Sequence, residues 1–120
     1  MTPFFIRIIV PITLATFISC TNSASKKNTT TPNKITTFKV WGNCDMCKET
    51  IESSLKVEGI AKADWNTETK MIEISYDSTT INLDKIQKNI ASVGYDNEIY
   101  KGDDSAYNNL PDCCKYDRKQ

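Results

Sequence analysis

A chain of 120 residues with 15 basic and 15 acidic side chains has no net charge to draw it to nucleic acid, and no Lys or Arg cluster is interleaved with aromatics. The absence of histidine removes imidazole chemistry, so any soft-ion or redox chemistry falls to the five cysteines. The length allows one small domain with a modest core.

The N-terminus reads as a secretory leader: Arg7, the apolar run 8–18, Ser19 and Cys20. That run is too short to cross a bilayer comfortably, and the polar residues behind it lack stop-transfer flanks. Residues 17–20, Phe-Ile-Ser-Cys, resemble a bacterial lipobox. The resemblance implies cleavage of residues 1–19 before a lipidated Cys20, and hence a membrane-anchored protein of the bacterial cell envelope, facing the periplasm. An ordinary signal peptide with an incidental cysteine is the alternative. Residues 20–34 are rich in Ser, Thr, Asn and Lys with almost nothing apolar, which cannot bury enough surface to offset ordering entropy, so they read as a tether.

Residues 35–41 form an extended segment in which Phe38 and Val40 share a face. It runs into Cys44-Asp45-Met46-Cys47, and a helical pattern follows over 47–57, where Ile51 and Leu55 stand four apart and Gly59 is placed to end the helix. Two intervening residues let both sulfurs converge on one ion. Thiols at a helix N-terminus also lose protons more easily, which serves metal ligation and redox attack alike. The motif alone therefore leaves a metal site, a dithiol redox centre and half of a zinc site open.

Residues 60–66 and 71–76 read as a β-hairpin about the polar turn 67–70, with Ile72, Ile74 and Tyr76 alternating against Glu73 and Ser75. Leu83, Ile86, Ile90 and Val93 fall at helical spacing, with Asn82 as cap and Gly94 as stop. Residues 97–101 supply a short last strand. The predicted class is α+β, a ferredoxin-like βαββαβ sandwich over residues 35–101 with a cysteine-containing C-terminal extension, 102–120.

Over residues 35–101 the chain resembles the heavy-metal-associated domain family of copper chaperones, copper-ATPase tails and periplasmic mercury-binding proteins. The resemblance rests on the C-x-x-C between strand and helix, Val57-Glu58-Gly59-Ile60, Ser75-Tyr76-Asp77 and Gly94-Tyr95. It implies Cu(I) as the preferred ion on Cys44 and Cys47, Hg(II) or Zn(II) as alternatives, and Tyr95 packed beside the loop. A metal-transporting membrane protein or another metal carrier is the implied partner, with no catalytic turnover. The family's lead-in is Gly-Met-Thr or similar, where this chain has Trp41-Gly42-Asn43. Trp41 or an inward-turned Met46 is expected to fill the place of the buried Met. Lys48, next to Cys47, is expected to offset the charge of a bis-thiolate complex.

The extension carries the adjacent pair Cys113-Cys114, whose direct disulfide would be strained. A final strand antiparallel to the first would leave the sheet far from Cys44, and a six-residue strand is about 20 Å long. The twelve residues from Lys101 to Cys113 reach roughly 40 Å, so the tail is able to return and let Cys113, Cys114 or both complete or cap the site. Two sulfurs suit near-linear Cu(I) or Hg(II), and four admit Zn(II). Against this metallochaperone or scavenger stand a thiol-disulfide redox protein and a disulfide-stapled interaction lipoprotein. The carboxylates Asp64, Glu68, Glu73 and Asp77 read as a solvated face, Trp65 and Tyr76 as hairpin core and edge. Tyr107 and Leu110 are candidates to pin the tail.

Overall fold

The structure is a computed structural model that describes residues 31–119. The expected leader 1–19, the lipidation candidate Cys20 and most of the tether lie outside the described residues.

Three strands, β1 (Lys34–Lys39), β2 (Ile60–Trp65) and β3 (Met71–Tyr76), form an antiparallel sheet in the order β1-β3-β2. The two-residue period predicted for β3 buries Ile72, Ile74 and Tyr76 and exposes Glu73. Cross-strand register places Phe38 and Trp65 on either side of Ile72. Helices α1 (Asp45–Ser53) and α2 (Leu83–Ser92) cover this face with Ile51, Ile86 and Ile90, all fully buried. The α+β, ferredoxin-like class is the one observed.

The helices depart from expectation at their ends. Asn82 caps α2 by accepting the Lys85 N–H, as its side chain predicts, and Gly94 follows at a φ of +94°. Helix α1 begins two residues earlier than its apolar spacing suggests, with Cys44 at the cap position, and ends at Ser53 rather than residue 57. There the N–H groups of Leu55 and Lys56 switch to i−3 carbonyls, and the chain unwinds before Gly59.

The expected fourth strand over residues 97–101 does not form. It shrinks to one bridge between Val40 and Asn97, because the Asn97 side chain accepts the N–H groups of Ile99 and Tyr100 and turns the chain away. The edge of β1 is served instead by a side chain, Glu98, which accepts the Lys39 N–H at 3.1 Å.

This early turn shortens the route of the extension. Gly102 packs directly on the end of α2, where a Cβ would stand 2.6 Å from the Gly94 carbonyl carbon, so only glycine allows the close approach. A short helix α3 (Asp104–Asn108) and a 3-10 turn (Asp112–Cys114) then lead back across the domain. Tyr116 anchors the return: it stacks on Tyr95 with centroids 5.6 Å apart, meets Tyr107 edge-on at 5.1 Å, and donates its hydroxyl to the Gly94 carbonyl at 2.6 Å. Such aromatic pairs add about 0.5–1.5 kcal/mol each beyond area burial.

Asp96 is the second anchor. Its fully buried carboxylate accepts the N–H groups of Gly102 (2.7 Å) and Lys119 (2.8 Å) and pairs with the Arg118 guanidinium through Nη2 at 2.7 Å and Nε at 3.4 Å. Four donors on one buried anion satisfy it far better than a single ion pair does. The expected pinning by Tyr107 is present, its hydroxyl donating to the Tyr116 carbonyl at 2.8 Å, but Tyr116, Asp96 and Arg118 make the larger clasp.

Candidate metal centre

The loop after β1 carries Cys44 to the cap position of α1 in extended geometry, φ −137° and ψ −179°, and Cys47 into the first turn. One helical turn brings their sulfurs 3.7 Å apart, and the Asn43 N–H approaches the Cys47 sulfur at 3.4 Å. The 3-10 turn of the tail places the Cys114 sulfur 3.9 Å from that of Cys44, and all three sulfurs lie within 4.8 Å of one another. The Asn43 side-chain amide donates to the Lys115 carbonyl, which ties this turn to the loop.

Metal–sulfur bonds of about 2.3 Å place the sulfurs of a planar three-coordinate ion about 4.0 Å apart. The trio therefore fits one soft ion with little rearrangement. Hard cations such as Ca²⁺ and Mg²⁺ are disfavoured by an all-sulfur donor set.

The three thiols are not equivalent. Cys47 and Cys114 are buried, and Cys44 is half-buried. The Cys44 thiol is lowered from its ordinary value, chiefly by the Cys47 N–H at the open first turn of α1, aided by the Met46 N–H and the neighbouring thiols. Cys114 is pushed up to about 12, first by burial and then by Cys47 and Cys44 beside it. Of these two thiols, Cys44 is therefore the more readily deprotonated.

Cys113 stands apart. It is exposed, with its sulfur 3.9 Å from that of Cys114 and 3.6 Å from the Met46 thioether, and it is not a member of the three-sulfur group.

Tyr95 lies beneath the trio, fully buried, and its hydroxyl has no hydrogen-bond partner among the described residues. Burial, then the adjacent Cys47 and Cys114, hold the phenol far above its ordinary pKa, so it remains a donor. An orphaned donor beside buried sulfurs acquires a partner when those sulfurs become metal thiolates. Tyr95→Phe is expected to stabilise the metal-free protein by about 1 kcal/mol, the lower end of the cost of an unsatisfied buried hydroxyl. The same change is expected to lower the stability gained on adding a soft ion, and thermal unfolding of both forms checks the pair of effects. A metal-free variant less stable than the parent would overturn this role.

Two expectations are corrected. Lys48 does not offset the charge of the thiolates: its ammonium reaches Glu52 and Asp64 at 2.6 Å each and the Trp65 carbonyl at 2.7 Å, which uses all three donors. Neither Trp41 nor Met46 fills the space under the loop, since Trp41 is half-buried and Met46 is 50% exposed. Trp65 fills it, its ring lying where a Cβ on Gly42 would meet Cη2 at 2.9 Å, and its indole N–H donates to the Val40 carbonyl. The sequence reads Trp65 as hairpin core, but only the hairpin register puts that position beneath the cysteine loop.

Residues 37–96 match the family described as the heavy-metal-associated domain. No curated protein matches the chain. Among solved structures, a CopZ metallochaperone is similar at 29% identity and a TM-score of 0.52, covering 53% of this chain and 98% of its own. A protein of Bacillus anthracis str. Ames assigned to copper-ion binding is similar at 30% identity and a TM-score of 0.52, covering 54% of this chain and 94% of its own. A copper binding domain from a P-type ATPase shares the fold at 22% identity and a TM-score of 0.51, covering 55% and 92%. The family match ends at residue 96, so Cys113, Cys114, Tyr116 and Arg118 lie beyond it, and their anchor Asp96 is its last residue.

Proposed function

The chain belongs to the heavy-metal-associated domain family, and from that premise we propose that it is a metallochaperone or scavenger for one soft ion, Cu(I) first, held by Cys44, Cys47 and Cys114. Hg(II) and Zn(II) are the alternative cargoes. The observation that carries this reading is the convergence of three sulfurs, two from the loop and one from the tail, within 4.8 Å. The similar CopZ metallochaperone supports the choice of copper and of carriage over catalysis.

Transfer to a metal-transporting membrane protein or another carrier proceeds by thiolate exchange. An incoming thiolate forms one metal–sulfur bond as one of this chain's breaks, and no electrons change hands. The lipobox-like Phe17 to Cys20 supports placement on a bacterial envelope membrane through lipidated Cys20.

An anaerobic Cu(I) titration of the reduced protein against a chromophoric chelator tests the reading. One ion is expected to bind tightly, with three sulfurs in its X-ray absorption spectrum, and Cys44→Ser/Cys47→Ser is expected to abolish tight binding. No tight binding, or catalytic turnover of disulfide substrates in its place, would sink the carrier reading.

A further inference from the structure

Beside the metal trio stand two soft donors that it does not use. The Cys113 sulfur and the Met46 thioether stand 3.6 Å apart at the mouth of the site, brought together from the tail and from the first turn of α1. Met46 is 50% exposed and Cys113 is exposed, so neither serves the core. A thioether and a thiolate select Cu(I) or Ag(I), and an ion with bonds of about 2.3 Å spans this separation in a bent arrangement.

Cys114 links the two places. Its sulfur lies 3.9 Å from Cys113 on one side and 3.9 Å from Cys44 on the other, the spacing of sulfurs that share an ion. We propose that Met46 and Cys113 form an outer site for a second soft monovalent ion, with Cys114 as the sulfur shared with the inner trio. This rests on the reading of the inner trio as a soft-ion site.

The outer site explains how a mostly closed centre is reached. Cys47 and Cys114 are 0% and 1% exposed, which leaves the half-buried Cys44 and the outer pair as the approaches open to solvent. An ion captured outside moves inward by exchanging sulfurs one at a time. Binding at Cys113 forms a metal–sulfur bond and releases the thiol proton to the buffer; the Met46 thioether carries no proton to lose.

The test is a Cu(I) titration of the reduced protein, Met46→Leu and Cys113→Ser, read by chelator competition and by the Met46 methyl resonance. The parent is expected to bind two ions, the second at least tenfold more weakly, with the methyl signal moving on the second equivalent. Met46→Leu keeps an exposed position apolar and is expected to weaken only the second ion, by about tenfold, while Cys113→Ser removes it. One tightly bound ion without a second, or a second ion unaffected by Met46→Leu, overturns the outer site alone. A protein that binds neither ion overturns both the outer site and the reading beneath it.

Discussion

Replacing Cys114 with serine is expected to lower the number of sulfurs around bound Cu(I) from three to two and to weaken binding by about a hundredfold or more. Loss of partners one shell out from a metal already costs 10–100-fold, so loss of a ligand belongs at or beyond the upper end of that range. A hundredfold corresponds to about 2.7 kcal/mol. The serine hydroxyl would sit where Cys114 is 1% exposed, so Cys114→Ala serves as a second variant free of a buried polar group. X-ray absorption gives the sulfur count, and chelator competition the affinity. Three sulfurs retained in both variants would mean that Cys113 takes the place of Cys114, and would sink the assignment.

Asp96→Ala is expected to produce a similar loss of sulfur coordination although Asp96 touches no sulfur. Its carboxylate gathers Gly102, Lys119 and Arg118, and these hold Tyr116 against Tyr95 and the 3-10 turn at the loop. Breaking a buried pair from one side costs 3–5 kcal/mol. The lower figure, about 3 kcal/mol, applies here because Arg118 is 18% exposed and can turn to water. Denaturant unfolding of the metal-free protein measures the loss, and an unchanged midpoint would overturn the clasp.

The same carboxylate sets an acid limit. Burial raises the Asp96 pKa, but Arg118 and the N–H groups of Gly102 and Lys119 more than reverse this, so the folded value lies below the ordinary one. A carboxyl lowered on folding contributes its full stability above the unfolded value, about 3.9, and loses it as pH falls through the lower folded value. Asp96→Ala should therefore flatten the acid limb of stability against pH.

Much of the domain was legible in the chain. The alternation of Ile72, Ile74 and Tyr76 and the four-residue spacing of Ile51 and Leu55 name the buried faces, because burial on one side of a strand or helix imposes its own period. Cys44 and Cys47 were legible for the same local reason, since one helical turn brings their sulfurs together whatever else the chain does. Strand four was misread because residues 97–101 compete between ladder and turn, and the Asn97 side chain decides that competition by capturing two N–H groups. Lys48 was misread because adjacency to Cys47 says nothing of Glu52 and Asp64, which converge on its ammonium from the next turn and from β2.

The sequence by itself determined the order of the first five elements, from β1 to α2, the sheet and helix faces, the loop thiol pair and the family to which the chain belongs. Each is written in short-range spacing that the backbone converts directly into geometry. Only the tertiary structure decided that Trp65 underlies the loop, that Cys114 joins the pair while Cys113 turns to Met46, and that Asp96, Tyr116 and Arg118 close the tail. Those contacts join residues from 20 to 70 positions apart. No periodicity marks them, because they arise from where a chain turned early by Asn97 comes to rest on a core already built.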